Sequence, residues 1–459
     1  MAERFEIVQK ALVKMLEDKK YATLRDILIT MNPSDIAGIF EDLEDKQIPI
    51  LFRLLTKEQA AETFVEMEPD AQELLIRGFS DNELKEVLDE LYVDDAADLV
   101  EEMPANVVKR ILRAADPEMR SSINQILRYP EYSAGSIMTT EYVSLRPNMT
   151  VEEAILRIRR QGVDKETIYT CYVTAKDRQL LGIVTVKDLL LADDDEMTIE
   201  ELMLTNLIFV TTQTDQEDVA RMFSKYNFLA LPVVDGEGRM VGIVTFDDAM
   251  DVMEEEATED MELMSGMTPS EKPYLRSSPF DLFKNRIPWL MLLMVSATFT
   301  GLIMTSFEDA LAAQIALSAF IPMLMGTGGN SGSQSSVTVI RGLSLGELEF
   351  RDVGTVLLKE LCTALMCGVT LAAVCFVKIW LVDHLLFGNE SITLMVDLVV
   401  CCALCVTVVL AKLVGCLLPI GAKAIKLDPA VMASPFITTI VDALSLLIYF
   451  LFAKMLLGV

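Results

Sequence analysis

The sequence predicts a multi-domain fold in three parts: an α-helical superhelical N domain, a duplicated α+β unit and an all-α transmembrane domain of five helices. Three observations predict it. Short amphipathic helical patterns come first, one β-rich pattern then occurs twice, and five long apolar segments follow. The expected boundaries are 1–130 for the N domain, 131–258 for the duplicated unit (131–199 and 200–258), 259–280 for a connecting helix and linker, and 281–459 for the transmembrane domain.

Charge separates these parts as clearly as hydropathy does. The 459 residues have a formal net charge of −30, but residues 281–459 carry only 12 acidic and 10 basic residues. Residues 1–280 therefore carry a net charge of −28. Such a field repels nucleic acid and anionic lipid surfaces and attracts cations, although solubility alone also explains an acidic surface.

The first 20 residues are charged and amphipathic and have no apolar core, so we expect no signal peptide and a cytoplasmic N-terminal part. Seven of the eight cysteines lie in the apolar part, where Cys402 and Cys405 form a CxxC inside an uninterrupted apolar run. We interpret these cysteines as packing residues rather than as metal or redox groups. The single histidine, His384, cannot form a zinc site alone.

Residues 1–130 contain helical segments with one apolar stripe and acidic flanks, such as DIAGIFEDLE, NELKEVLDELY and DAADLVEEMP. Proline or aspartate starts several of them, as at Pro33, Pro69, Asp81 and Pro117. The units are similar but unevenly spaced, which favours a compact superhelical bundle over a strict repeat.

Residues 131–258 change to short β-branched runs. Each copy has an amphipathic helix, a hairpin with a polar or glycine turn, and then GIVT before a further helix. Both copies resemble a tandem CBS-domain pair, in which two halves pack as one pseudo-symmetric module. Each copy also carries Thr-x-x-Asp, which in CBS domains can bind the ribose of an adenine nucleotide such as ATP. The same four residues are also an ordinary helix start, so both interpretations stay open. The pairs are Thr185 with Asp188 and Thr245 with Asp248.

Five apolar segments follow an acidic helix and a Pro/Ser linker, and each is long enough to span about 30 Å of hydrocarbon. They cover roughly 286–306, 310–340, 353–382, 392–419 and 428–458. The loops after segments 2 and 4 carry basic residues: Arg341, Arg351, Lys423 and Lys426. The opposite loops carry acidic residues and no lysine or arginine, so the positive-inside rule predicts the N-terminus inside and the C-terminus outside.

Segment 5 carries a carboxylate, Asp442, well inside an apolar run. A charge at the bilayer centre costs at least ~2.5–3.5 kcal/mol on insertion scales, so it must face protein, water or a cation. Thr438 and Ser434 precede it by one and two helical turns, and Asp428 falls near the same stripe. Asp428 also has the pattern of an N-cap, since Pro429 follows it. The stripe indicates either a cation pathway or a buried structural network.

Other polar residues also lie at membrane depth. Residues 326–336 of segment 2 read GTGGNSGSQSS, whose small residues favour close helix packing, whereas side chains such as Asn330 and Ser333 favour a water-lined path. Glu360 lies near the inner end of segment 3, where interface snorkelling and a pathway role are both open. Asp397, one turn into segment 4, is interpreted as a helix cap.

Three stretches resemble the MgtE family of magnesium channels: GGNSGSQSS…RGLSLGE, the Glu360 segment and DPAVMASPFITTIVD. The order of domains resembles that family as well, over essentially the whole chain. The resemblance implies a homodimer in the lipid bilayer whose pore lies between the subunits, lined mainly by segments 2 and 5. It makes Asp442 the carboxylate that holds hydrated Mg²⁺, with Ser434 and Thr438 on the same wall. Mg²⁺ dehydrates reluctantly and is usually held by one or two carboxylates and its own waters, which suits such a stripe.

The resemblance also implies a function for the acidic N-terminal part. Cytosolic Mg²⁺ would bridge acids of the N domain, the CBS pair and the connecting helix and so hold the pore shut. Without the ion, like charges repel one another. The candidate regulatory residues are Asp94, Asp95 and Asp98 in the N domain and Asp248, Asp251, Glu256, Glu259 and Asp260 beyond it.

The predicted function is a Mg²⁺-selective channel of the plasma membrane that moves Mg²⁺ down its electrochemical gradient into the cytoplasm and closes when cytosolic Mg²⁺ is replete. The sequence carries no nucleotide-hydrolysis motif, Ser/His dyad or metal-hydrolase cluster, so we predict no enzyme activity. A transporter of Co²⁺ or Mn²⁺ is one alternative, which the absence of soft or imidazole ligands in the acidic stripe disfavours. A membrane-anchored CBS sensor that conducts nothing is another, which the polar stripes in two segments disfavour.

Overall fold

The computed structural model describes residues 2–41, 43–270, 274, 277–386, 392–432 and 434–458, without the side chains of residues 2–7, 164 and 434. The chain divides into two compact units, Met1–Met253 and Glu254–Val459. The first unit contains an all-helical part and two small β-sheets, and the described part of the second unit is helical.

Short helices that share one apolar core form the N-terminal part of the first unit. They are α1 (Ala2–Glu17), α2 (Tyr21–Leu28), α3 (Pro33–Glu41), α4 (Ile48–Phe52), α5 (Lys57–Val65), α6 (Pro69–Gly78), α7 (Asp81–Leu88), α8 (Val93–Glu102), α9 (Ala105–Ala114) and α10 (Pro117–Ile126). Their starts follow capping rules: Ser80 accepts a hydrogen bond from Glu83 N, and the Glu83 carboxylate accepts one from Ser80 N. The apolar stripe of each helix faces the core, where Leu24, Ile36 and Phe40 are fully buried. The prediction of a helical N domain is confirmed.

Two three-stranded sheets with the same strand order follow. The strands are β1 (Tyr142–Leu145), β2 (Thr167–Thr174), β3 (Leu180–Thr185), β4 (Val210–Thr211), β5 (Ala230–Val234) and β6 (Met240–Thr245). In each sheet the first strand pairs parallel with the second, and the second pairs antiparallel with the third. The accompanying helices are α11 (Val151–Gln161), α12 (Val186–Leu190), α13 (Ile199–Leu202), α14 (Gln216–Tyr226) and α15 (Phe246–Met264). The repeated sheet confirms the predicted duplication.

The second unit contains the long apolar helices. They are α16 (Pro279–Ser306), α17 (Glu308–Ala313), α18 (Ile321–Ser344), α19 (Val353–Lys378), α20 (Leu394–Ala424) and α21 (Ser434–Leu457). Short 3₁₀ turns cover Ile315–Phe320, Phe350–Asp352 and Pro429–Met432, and a π-helix at Ile379–Leu386 continues α19. In the described residues, four helices are long and apolar enough to cross a membrane: Pro279–Ser306, Phe350–Leu386, Leu394–Ala424 and Pro429–Leu457.

The second apolar segment differs from its predicted form. Residues 310–340 are not one helix, because α17 ends before Gln314 and a 3₁₀ turn leads into α18. The 24 residues of α18 exceed the roughly 20 that a span requires, but its polar stretch makes it less apolar than the four other helices. A fifth span therefore stays a prediction that rests on α18.

Helix α20 lies at the centre of the second unit and packs against α18, α19 and α21. The buried apolar core of this unit includes Phe320, Val400 and Phe450. Beside it, Tyr449 Oη donates a hydrogen bond to Leu317 O at 3.0 Å. Helix α16, in contrast, has no buried residue. This arrangement places the polar stretch of α18 directly against the helix that carries Asp442.

Candidate functional site

Asp442 lies in the middle of α21 with its side chain partly exposed. Within the described part of the chain its carboxylate has no hydrogen-bond or ion-pair partner, so all its acceptor positions are available to a ligand. Thr438, one turn earlier and also partly exposed, donates its hydroxyl to Pro435 O at 2.9 Å and keeps its lone pairs free to accept. The predicted site residue Ser434 lies outside the described side chains.

The polar stretch of α18 presents two different surfaces. Asn330, Gln334 and Thr338 are exposed and follow one another at a spacing of four residues, so they form one stripe along the helix. We call these three residues the α18 polar stripe. Ser333 is partly buried and donates its hydroxyl to Gly329 O at 2.9 Å. An exposed amide is costly against lipid, so the stripe indicates contact with water, ions or protein.

The glycines of the same stretch serve close helix packing. A Cβ atom at Gly329 would lie 3.0 Å from Thr438 Cγ2, and one at Gly328 would lie 2.8 Å from Ser445 Oγ. Both contacts are with α21, the helix of Asp442. The two interpretations of the stretch therefore apply to different faces of α18: the glycines pack, and the amides are exposed.

Asp428 is exposed before α21, and its Oδ1 accepts a hydrogen bond from Ala430 N at 2.7 Å. It therefore caps the 3₁₀ turn Pro429–Met432 rather than the α-helix, which begins at Ser434. A partly buried neighbour, Glu259, comes from the end of α15. Burial, and then the charges of Asp428 and Asp260, raise the pKa of Glu259.

The end of α15 packs against the elements that lead into the polar helices. Leu263 forms a buried cluster with Ile340 of α18 and Ala430. Ser344 Oγ, at the end of α18, donates a hydrogen bond to Asp260 Oδ2 at 3.2 Å. The predicted connecting helix is thus in contact with the end of α18 and with the turn before α21.

Glu360 is held by a partner that sequence reasoning missed. Ser335 Oγ of α18 donates a hydrogen bond to Glu360 Oε2 at 2.6 Å, and Lys412 Nζ of α20 donates to the same Ser335 hydroxyl at 3.3 Å. Lys412 lies inside the fourth apolar segment, and a lone lysine in such a run was the available signal.

The expectation that Asp397 caps α20 is wrong. Thr393 is the N-cap residue and accepts a hydrogen bond from Val396 N. Asp397 is buried and lies 3.2 Å from His384 Nε2, so it pairs with the single histidine because burial demands a partner.

A second group of carboxylates lies within the first unit. We call it the acidic group; its members are Asp94, Asp95, Glu141, Glu166, Asp247 and Asp248. Burial, and then the charge of Asp248, raise the pKa of Asp95 to about 7 and that of Glu166 to about 8. The same causes raise the pKa of Asp94 well above its ordinary value. Burial also raises the pKa of Asp248 to about 6, against the hydrogen bond from Thr245, which lowers it.

Two further predicted residues, Asp98 on α8 and Asp251 on α15, adjoin the acidic group. Burial, and then the charges of Asp248 and Asp95, raise the pKa of Asp98 to about 8, and the charge of Asp251 raises the pKa of Asp248. Glu141 and Glu166 were not predicted, because only the fold brings residues so distant in sequence together, and Asp247 was not predicted although it directly precedes Asp248. Among the described residues no three His, Cys, Asp or Glu side chains form a preformed metal site. The carboxylates are thus near one another without converging on a tight oxygen cage. Glu256 is partly buried on α15 within the second unit.

Both Thr-x-x-Asp pairs form helix starts. Thr185 Oγ1 donates to Asp188 Oδ2, and Asp188 N donates back to Thr185 Oγ1. Thr245 Oγ1 donates to Asp248 Oδ2 in the same way. The local hydrogen bonds are therefore those of a capping box, and nucleotide binding stays a prediction.

A membrane helix whose carboxylate has no partner among the described residues, combined with a tandem α+β unit and an acidic helical domain, defines a membrane cation-transport protein with a large soluble part. Family profiles agree: the MgtE divalent cation transporter matches residues 321–452, the MgtE intracellular N domain 31–132, and the CBS domain 134–195 and 199–255. The chain is 36% identical to the magnesium transporter MgtE of Thermus thermophilus over 97% of this chain and 98% of that protein. It is 32% identical to that of Bacillus subtilis over 97% and 96%. The chain belongs to the MgtE family.

Solved structures agree for the soluble part. The cytosolic domain of the Mg²⁺ channel MgtE in complex with ATP covers 53% of this chain and 99% of its own, with 37% identity and a TM-score of 0.51. The soluble part of a magnesium transporter covers 55% and 99%, with 30% identity and a TM-score of 0.51. The prediction that the protein is not an enzyme is confirmed, because its homologues are named magnesium transporters.

Proposed function

We propose that this protein is a Mg²⁺-selective channel that lets Mg²⁺ flow down its electrochemical gradient into the cytoplasm. The observation that carries the proposal is the partly exposed carboxylate of Asp442, which has no partner among the described residues. It lies on a membrane helix that packs against the small-residue stretch of α18. A cation is the natural ligand for a carboxylate at this depth.

The chemistry of the two helices suits a hydrated ion. Mg²⁺ keeps several of its waters and is bound through one or two carboxylates. Asp442 supplies the charge, while Thr438 and the α18 polar stripe supply hydrogen-bond partners for coordinated water. Two copies of the chain, with α18 and α21 facing a shared axis, would double the carboxylate and complete the path.

Gating is proposed to depend on two sets of acids. The acidic group lies in the first unit, and Glu256, Glu259 and Asp260 lie in the second. High cytosolic Mg²⁺ neutralises these carboxylates and closes the pore, whereas low Mg²⁺ leaves them to repel one another. The contact of Leu263 with Ile340 and Ala430 supports α15 as the element that acts on the pore helices.

ATP is proposed as a ligand of the tandem CBS part, because a relative with 37% identity was crystallised with it. Thr185, Asp188, Thr245 and Asp248 are the candidate ribose-binding residues. Their mutual hydrogen bonds would have to rearrange or be shared for a ribose to bind. The proposed orientation in the plasma membrane has the first unit in the cytoplasm and the C-terminus outside.

The test is ion flux into liposomes that contain the pure protein and no ATP. We expect Mg²⁺ entry along its gradient, and a decrease in entry as Mg²⁺ inside the compartment facing the first unit is raised. A requirement for ATP hydrolysis would contradict the channel proposal. Faster entry of Co²⁺ or Mn²⁺ at equal concentration would favour the other divalent-cation transporter, and no flux of any ion would favour the non-conducting sensor.

A further inference from the structure

A chain of three polar side chains joins three membrane helices, and its middle member, Ser335, belongs to the polar stretch of α18. Lys412 Nζ on α20 donates to Ser335 Oγ on α18 at 3.3 Å, and Ser335 Oγ donates to Glu360 Oε2 on α19 at 2.6 Å. Lys412 is 5% exposed and Ser335 is 1% exposed. A cation and an anion at membrane depth are therefore linked through one hydroxyl, and each compensates the charge of the other.

The Lys412 ammonium has few polar neighbours besides Ser335 among the described residues. Among the described residues no carboxylate lies within 4.0 Å of Nζ, and Ser335 is the hydrogen-bond partner found there. Apolar side chains from the same three helices pack next to this link, including Val339, Cys416 and Leu357. Loss of Glu360 would therefore leave the buried Lys412 ammonium without compensation, and loss of Lys412 would leave the half-buried Glu360 carboxylate without its counter-charge at membrane depth.

The helix backbones touch at the same level. A Cβ atom at Gly415 would overlap the carbonyl oxygen of Gly332, and one at Gly332 would lie 3.1 Å from Ala411 O. Gly332 precedes Ser335 by three residues, and Gly415 follows Lys412 by three. Backbones in direct contact cannot rotate past one another without repacking, so the rotation of α18 about its axis is determined here.

That rotation decides where the α18 polar stripe points. The α18 polar stripe is exposed, whereas Ser335 is buried against Glu360 and Lys412. Because a helix is a stiff element, holding Ser335 toward α19 and α20 directs the stripe away from them.

We propose that Lys412, Ser335 and Glu360 form a charge-compensated clamp that orients α18 and thereby sets the geometry of the ion path, without binding the transported ion. The proposal rests on the channel function above and changes one part of the sequence-based expectation. Glu360, expected on the Mg²⁺ path, becomes a positioning residue whose carboxylate compensates Lys412.

The test is a double-mutant cycle on Mg²⁺ flux into liposomes, with maximal flux and apparent KM measured separately. We expect Glu360→Gln and Lys412→Met each to lower maximal flux by about tenfold or more, because one charge at membrane depth loses its counter-charge. The double variant should recover to within about threefold of wild type, since the amide of glutamine still accepts from Ser335 and no charge is left over. Lys359→Met, which removes an exposed lysine beside Glu360, is the matched control and should leave flux unchanged.

A direct Mg²⁺-binding role for Glu360 predicts a different pattern. The double variant would then remain as impaired as Glu360→Gln, and that result would overturn the clamp. If the charge variants fail to fold, Ser335→Ala and Ser335→Thr decide: the clamp requires loss of flux in the first and retention in the second. Equal flux in both would overturn it, whereas absence of flux in the wild type would instead contradict the channel function itself.

Discussion

Asp442 can remain in a membrane helix only if something outside its own helix compensates its charge. The described residues provide no ammonium, guanidinium or hydrogen-bond donor for it, whereas Glu360 has Ser335 and Asp397 has His384. This difference separates the three intramembrane carboxylates by physical environment. Two have a side-chain partner within the protein, and the third is left for an external cation, which is why we propose Asp442 as the ion-binding residue.

The helix contact at Gly415 gives a stability prediction. Gly415→Ala places a methyl group on the Gly332 carbonyl oxygen and should lower the unfolding free energy by about 1–3 kcal/mol, because the backbones must separate. Gly421→Ala on the same helix is the matched control, since its Cβ meets nothing within 4 Å. Thermal unfolding of the detergent-solubilised protein should show a lower Tm for the first variant alone. Equal Tm values would show that α18 and α20 are not in direct contact there.

Asp442 could be predicted from the sequence, but the contacts of Lys412 and Glu166 could not. Asp442 was predictable because a charge within an apolar run is a local signal. Lys412 carried the same signal, but its partner Ser335 lies 77 residues away and only helix packing brings the two together. Glu166 and Asp95 are likewise distant in sequence, and nothing in either local segment indicates the other.

At the scale of elements, α15 is the part that connects the soluble domains to the polar membrane helices. Its last turn contributes Leu263 to a buried cluster, and Gly266, at φ +70°, lies two residues after the helix ends at Met264. Glycine suits this left-handed position, and a Cβ there would also meet Pro435 of α21 at 2.9 Å. The helix therefore ends in contact with both pore-helix candidates.

Leu263→Ala tests whether the contact of α15 with the membrane helices controls closure of the pore. The smaller side chain should loosen α15 from Ile340 and Ala430, so that flux persists when cytosolic Mg²⁺ is high, while flux at low Mg²⁺ changes little. Met261→Ala removes a side chain that is 64% exposed on the same turn and should behave as wild type. Flux measured at both Mg²⁺ levels distinguishes the variants. Normal closure in Leu263→Ala would remove α15 from the gating pathway.

The sequence predicted the type of every long element but not the break before α18. The apolar run from 310 onward gave no reason to interrupt a helix, yet Gln314 has φ −139° and leads into a 3₁₀ turn. Leu317, within that turn, accepts a hydrogen bond from Tyr449 through its carbonyl group. A tertiary contact thus accounts for the interruption, and local propensity could not reveal it.

For the whole molecule, the acidic group makes the stability of the soluble part depend on pH. The folded pKa of Asp95 is about 7 and that of Glu166 about 8, both above ordinary carboxyl values. Between about pH 4 and 8 the folded state therefore binds more protons than the unfolded state, so stability falls as pH rises through this window. Mg²⁺ should reverse the loss, because it replaces the protons as the compensating charge.

Thermal unfolding of residues 1–264 across this pH range, with and without Mg²⁺, measures the effect. We expect Tm to fall from pH 5 to pH 8 in chelator and to recover on addition of Mg²⁺. Asp95→Asn and Glu166→Gln should each make Tm depend less on pH and should each reduce the rise in Tm on addition of Mg²⁺. A Tm that rises with pH in chelator would contradict the assignment of the acidic group.

We propose that Asp442 binds the ion that the molecule conducts. The most direct measurement is Mg²⁺ flux into liposomes at matched protein content for wild type, Asp442→Asn and Asp309→Asn, an exposed carboxylate outside the apolar helices. We expect flux near background for Asp442→Asn, because the amide keeps the size of the side chain but not its charge, and wild-type flux for Asp309→Asn. Undiminished, still Mg²⁺-selective flux in Asp442→Asn would contradict it.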